Sequence, residues 1–169
     1  MSGSGPSGPS GPTAPSGAWL RPPAAVLAVV YAEARRAFPA ECCGFLVGPR
    51  AGAGVTRARP CTNAQAGGDH PTAAERGAET AYVIAGEDLL ALARSLDGDE
   101  PARVIYHSHP NGRAYFSATD QAVATDPWGE GPMYPCWQMV VGLDAAALVE
   151  AAAFAWHDGR WVEIDRWSV

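Results

Sequence analysis

Residues 102–124 constrain this chain most: ARVIYHSH, a run ending in two histidines, then PNGRAYF, then SATDQAVA. The first piece reads as a strand and the last as a helix opened by Ser117. His107 and His109 stand two residues apart in the strand, so both imidazoles leave one face of it. Ser117 occupies the place of a helix N-cap, and Asp120 is the third helical residue. A carboxylate in the first turn points back past the helix N-terminus, towards a strand end packed there. Two histidines and one carboxylate leave one tetrahedral position for water, the pattern of catalytic rather than structural zinc. Ser-x-x-Asp alone is more often a capping box with Asp in place of Glu. A single His near a strand end is more often a hydrogen-bonded or surface residue. The combined spacing favours the metal.

Other segments supply the frame. Pro22 and Pro23 open a helix, because first-turn amides need no intrahelical partner. Leu27, Val30, Tyr31 and Phe38 fall on its inner face, and Pro39 stops it. CCGFLVG (42–48) is a short apolar run bounded by turn residues, hence a buried strand, and VTRARPC (55–61) alternates as its partner. Residues 64–79 lack periodicity and are expected to be a long exposed loop. AYVI (81–84) is a strand candidate, EDLLALARSL (87–96) an amphipathic helix with acids in its first turn, and CWQMVVGL (136–143) a strand. Ala145–Phe154 has helix-favouring composition. Asp158-Gly159 is nevertheless a strong two-residue hairpin signal, so strands are expected, with Trp156 facing Trp161. The order predicts an α+β fold: a single domain with a mixed, curved β-sheet flanked by helices.

Fourteen of the first 17 residues are Ser, Gly or Pro, too little apolar surface to offset ordering entropy. Residues 1–21 are assigned to a flexible tail and 22–169 to the domain. Hydrophobic residues make up 47% of the chain, enough for a sizeable core. The net charge of −6 argues against nucleic-acid binding, which needs a basic face. All twelve basic residues are arginine, and the scarcity of Asn and Ile beside them points to a compositional bias rather than a function. Four cysteines without a C-x-x-C pair favour a reducing compartment, and Cys42 and Cys43 read as core packing. Neither a secretory signal nor a membrane span is visible; the run AAVLAVVYA is too short. A cytoplasmic location and no membrane partner are expected. His70 and His157 read as surface residues.

His107-Ser108-His109-Pro110, followed at that spacing by Ser117 and Asp120, resembles the signature of the MPN+/JAMM zinc metalloproteases, bacterial type. That family also carries an upstream Glu in an E-x-C-G context after the first helix. Here Glu41-Cys42-Cys43-Gly44 stands directly behind the expected helix end. The similarity covers most of residues 22–165, with specificity only in the two motifs.

The resemblance implies that His107, His109 and Asp120 hold Zn²⁺. It implies that Glu41 takes a proton from the attacking water and returns it to the leaving amine. It gives Ser117 a hydrogen bond to the developing oxyanion. Members mostly hydrolyse the amide after the C-terminal Gly-Gly of ubiquitin-like proteins. Bacterial relatives act on ubiquitin-like sulfur carriers, releasing cysteine or processing the tail, or remove modifiers alongside E1- and E2-like enzymes. Trp128, Met133 and Tyr134, in TDPWGEGPMYP (125–135), lie where the family inserts substrate-gripping segments, and a core role is equally open to them. Two alternatives share part of the pattern. RadC-like proteins associated with DNA repair have a similar H-x-H-P stretch but lack the E-x-C-G element. Non-catalytic MPN scaffolds typically lose the ligands retained here. A zinc deaminase would want the absent C-x-x-C.

Overall fold

The computed structural model describes residues 15, 17–52, 54–67 and 82–169. Helix α1 (Ala24–Ala37) begins directly after Pro23 and ends before Pro39. It buries Val26, Leu27, Val30 and Ala34, while Tyr31 and Phe38 pack at the rim of the same cluster. Strands β1 (Cys43–Val47) and β2 (Arg57–Cys61) follow, then a 3-10 turn (Ala64–Gly67) and helix α2 (Gly86–Ser95). Strand β3 (Ala102–His109), helix α3 (Ala118–Ala124) and strands β4 (Trp137–Leu143), β5 (Leu148–His157) and β6 (Arg160–Ser168) complete the chain. They form one sheet in the order β2-β1-β3-β4-β5-β6, in which β3 and β4 run parallel and every other pair antiparallel. The α+β expectation with a mixed sheet is met.

Strand alternation sorts the core onto two faces. Cys42, Leu46, Val104, Tyr106, Met139 and Val141 face α1. Cys43, Phe45 and Ile105 face α2, while Val140, Ala152 and Phe154 pack beneath α3 with Phe116 and Trp161. The apolar β1 and β3 are buried along their whole length because both their faces are covered.

The glycine of the E-x-C-G stretch, Gly44, has a physical requirement. It sits opposite Tyr106, and a Cβ there would come within 2.5 Å of the Tyr106 hydroxyl and of the Arg59 carbonyl. The tyrosine ring crosses the strand where a side chain is missing. Gly142 does the same further along: the backbone of Gly112 and Arg113 lies against it, which folds the turn after His109 back over β4.

The hairpin expectation holds. Asp158 and Gly159 both take positive φ (48° and 78°), and Trp156 pairs with Trp161 at 5.6 Å between ring centroids. The Ala145–Phe154 segment is strand from Leu148, with 145–147 in a turn whose amides at Ala146 and Ala147 donate to Asp144.

AYVI departs from expectation. Among the described residues of that segment only Ile84 makes a bridge, to Asn63. Strand β1 already has partners on both edges, β2 and β3, so the segment cannot extend the sheet there. Tyr82 and Ile84 pack on the sheet face under α2 instead. Most of the expected loop 64–79, with His70, lies outside the described residues; His157 is exposed.

Candidate metal centre

Three chain segments converge on the α2–α3 face of the sheet. The end of β3 presents His107 and His109 on one side, as its alternation requires, while Ser108 points to the other. Ser108 accepts a hydrogen bond from the Cys42 amide through Oγ (2.9 Å), and its own amide donates to the Cys42 carbonyl (3.1 Å). This pair of bonds pins residue 42 to the strand, so Glu41 is placed beside the histidines.

Helix α3 supplies the third segment. Ser117 caps it in extended conformation: its Oγ accepts from the Asp120 amide (3.1 Å), and its amide donates to Asp120 Oδ2 (2.8 Å). The capping box and the metal-ligand reading are therefore compatible. The oxygen that closes the box also lies 3.4 Å from His107 Nε2 and 3.3 Å from His109 Nε2, and the two Nε2 atoms are 3.1 Å apart. All three side chains are buried.

A tetrahedral ion with bonds of about 2.0–2.1 Å spaces its ligands about 3.3 Å apart. The observed triangle of 3.1, 3.3 and 3.4 Å has that size. Electrostatics favours the binding state as well. Burial works against the Asp120 carboxylate, but hydrogen bonds from His107 and His109, with Ser117, outweigh it and hold the group well below the usual carboxylate range. Burial lowers the His107 imidazole pKa despite the nearby Asp120, keeping it neutral. An ionised carboxylate and a neutral imidazole are what a divalent cation requires.

Glu41 is buried, with Oε1 3.9 Å from His109 Nε2. Tyr82 stacks on the His107 ring at 4.3 Å and 19°, and Tyr115 lies over His109 at 4.7 Å. All five residues singled out as catalytic or ligating thus sit in one place. Met133 and Tyr134 border a groove that begins at Tyr82. Trp128 does not line it. This indole is 81% exposed at the tip of a turn fixed by a Thr125–Pro132 bridge and by Asp126, whose carboxylate accepts from the Trp128 and Glu130 amides. Burial raises the Cys42 thiol to about 11 and the Cys136 thiol to about 12, and pushes Cys43 higher still. These are packing groups, not nucleophiles.

Sequence reasoning missed three contributors. Ser108 stood inside the motif without a role. Asn63 ties the site together: its Nδ2 donates to the Glu41 carbonyl (3.0 Å), and its Oδ1 accepts from the Gln65 and Val83 amides. The one available signal was rarity, since asparagine occurs only at 63 and 111. Tyr82 was read as part of a strand.

The family described as prokaryotic homologues of the JAB domain matches residues 23–157, most of the chain and all of the site. The chain belongs to that family. Its curated relatives include proteins named CysO-cysteine peptidase from Mycobacterium bovis and Mycobacterium tuberculosis. Each is 40% identical over 96 residues, 57% of this chain and 59% of the relative. The chain therefore spans about three fifths of the length of the curated relatives it matches. The JAB fold is echoed in two solution structures. One is a Desulfitobacterium hafniense protein (TM-score 0.60, 23% identity, covering 84% of this chain and 87% of that one). The other is a Salinibacter ruber protein (TM-score 0.56, 23% identity, 86% and 89%). At that identity the likeness concerns fold alone. Among the described residues, no helix of this JAB domain is long and apolar enough to cross a membrane.

Proposed function

We propose that this JAB domain is a zinc-dependent peptidase or isopeptidase that hydrolyses the amide bond after the C-terminal Gly-Gly of a ubiquitin-like protein. The observation that carries the reading is the buried His107–His109–Asp120 triangle with Glu41 beside it. Zinc held there supplies Lewis acidity, which makes water nucleophilic near neutral pH.

The chain's own groups do the rest. Glu41 takes the proton from the attacking water and delivers it to the departing amine. Its carboxylate is a fixed acceptor because the bonds at Cys42 and Asn63 hold its backbone. Ser117 spends one lone pair on the Asp120 amide, and a hydroxyl retains a donor after accepting a bond. That proton stabilises the oxyanion, next to the positive end of the helix backbone. Tyr82 and Tyr115 wall the imidazoles and exclude water from their outer faces.

The names of the mycobacterial relatives support the sulfur-carrier form of the reaction, release of cysteine from a carrier tail, over removal of a modifier beside E1- and E2-like partners. The acidic charge and the Glu41 motif support hydrolysis over a RadC-like role, and the retained ligand set supports it over a scaffold. A cytoplasmic setting fits four cysteines, none of them in a disulfide.

Metal analysis of the purified protein, combined with cleavage of a sulfur-carrier protein extended by a C-terminal cysteine, tests the proposal. Glu41→Gln is expected to retain zinc and to lose roughly 10²–10⁴ in rate. Full activity in that variant, or activity after complete removal of metal, refutes it.

A further inference from the structure

The two imidazoles lack the restraint that usually aims a metal-binding histidine. The ladders of β3 place the Cα–Cβ bonds of His107 and His109. They leave the ring torsion χ2 open, and that torsion has only a broad, two-fold preference of its own. A ligating imidazole normally donates its second ring N–H to a carboxylate or carbonyl, and that bond sets the torsion. Here Nε2 of both rings faces Asp120 Oδ2, so Nδ1 is the second nitrogen. Both Nδ1 atoms are buried, and neither has a hydrogen-bond partner among the described residues. Asp120 differs, since the Ser117 amide fixes its oxygen.

Each imidazole lies instead against an aromatic ring. Tyr82 stacks on His107 at 4.3 Å between centroids and 19° between planes, and Tyr115 leans over His109 at 4.7 Å and 53°. Both tyrosines are themselves tethered. The Val83 amide donates to Asn63 Oδ1 (3.1 Å) and the Ala64 amide to the Val83 carbonyl (2.7 Å), which seats Tyr82. The Tyr115 hydroxyl accepts from Asn111 Nδ2 (3.3 Å), and Asn111 Oδ1 accepts from the Arg113 amide (3.1 Å). A ring packed this closely resists rotation of the imidazole about χ2, because turning it drives its edge into the aromatic face.

We infer that Tyr82 and Tyr115 are positioning residues of the metal centre: ring contact holds each imidazole with Nε2 turned towards Asp120, the task that a hydrogen bond at Nδ1 performs in other histidine sites. The inference rests on the metal-binding part of the reading above and adds to the exclusion of water an active role in aiming the ligands. The contact also favours the ligated imidazole over the free one. A ring that shares its lone pair with a cation becomes electron-poor, and an aromatic face attracts electron-poor groups through its quadrupole. Tyr82 is 7% exposed and Tyr115 45% exposed, so the second position tolerates replacement with little cost to folding.

The test uses the full-length protein and two readouts: zinc affinity, by competition with a chromophoric chelator, and the visible ligand-field spectrum of the Co²⁺-loaded protein. Tyr115→Leu keeps an apolar side chain and removes the ring. Its zinc Kd should rise about 3- to 10-fold, and its Co²⁺ bands should shift. Tyr115→Phe keeps the ring and should restore both to the wild-type values. Tyr82→Phe should bind zinc as the wild type does, and Tyr82→Leu at least about threefold more weakly. Should Tyr82→Leu fail to fold, the Tyr115 pair decides alone. Wild-type Kd and spectrum in Tyr115→Leu, or a Phe variant as weak as its Leu counterpart, overturns the inference. Neither readout involves cleavage, so the two readings fail separately. A wild type that shows these dependences yet cleaves no carrier protein sinks the peptidase and leaves the positioning role standing. An active enzyme whose zinc affinity ignores both rings does the reverse. A wild type that binds no zinc refutes both.

Discussion

Asp120 carries two tasks on one oxygen, and two substitutions at that position pull them apart. Oδ2 accepts from the Ser117 amide at 2.8 Å and stands 3.3 and 3.4 Å from the two imidazoles. Asp120→Asn keeps an acceptor for Ser117 and removes the charge; Asp120→Ala removes both. The Ser117 hydroxyl still caps the helix through the residue-120 amide in either variant, and leaving the Ser117 amide unpaired costs about 1–3 kcal/mol. For a chain of this length each kcal/mol moves Tm by about 2–4 °C, so the alanine variant should melt roughly 2–12 °C below wild type in chelator. The asparagine variant should melt within a few degrees of it. Zinc at a hundred times its Kd adds about 2.7 kcal/mol to the wild type, a rise of roughly 5–11 °C. In both variants that rise should collapse. Thermal denaturation followed by circular dichroism, with chelator and with zinc, reads all six midpoints. A full zinc-dependent rise in Asp120→Asn refutes the ligand assignment. Equal loss by both variants in chelator refutes the separation of cap from ligand.

Ser108→Ala should leave the zinc content unchanged and lower kcat more than it raises KM, because the Cys42 amide loses its acceptor and Glu41 is no longer held; pre-steady-state and steady-state cleavage assays check it. Gly44→Ala should destabilise by several times the ~1 kcal/mol typical of point changes, since its methyl would meet both the Arg59 carbonyl and the Tyr106 hydroxyl. Tyr106→Phe in the same chain should rescue it only in part, as urea denaturation would show. Asp165 accepts from Arg21 and Trp19, and the Arg21 hydrogen bond foremost holds its carboxyl below the ordinary value. Its folded pKa lies below the unfolded one, so its stabilisation is present above about pH 4 and fades as the pH falls further. Asp165→Asn should flatten the loss of stability between pH 5 and 3, measured by urea denaturation at each pH.

The parts of this domain that repeat a local rule were readable from sequence. Pro23 and Pro39 bracket α1, apolar runs mark β1 and β3, and Asp158-Gly159 sets a turn that only positive φ satisfies. The ligand set was readable because each residue obeys a local period, two in the strand and three in the cap. What escaped depends on contacts between distant segments. Tyr82 sits in an alternating stretch that looks like a strand, yet both edges of β1 are taken, so its ring turns onto His107. Asn63 makes its three bonds to backbone groups 2 to 22 residues away, and no periodicity encodes that.

The site owes its geometry to backbone bonds, and this bears on how metal and folding are coupled. His107 and His109 are fixed by the β3 ladders to β1 and β4 on either side. Asp120 is fixed by its own cap, and Glu41 by the bonds from Cys42 and Asn63. None of these restraints passes through the ion. A zinc finger gathers its ligands only when metal binds, so its folding and binding free energies are the same quantity. Here three buried ligand atoms already stand at tetrahedral edge distances within a sheet of six strands. The ion therefore adds its binding free energy to a fold that stands without it. It follows that chelation should lower the melting temperature yet leave a cooperative transition and the α3 cap intact. Unfolding on chelation would mean that the ligands, and not the strands, hold β3 to α3.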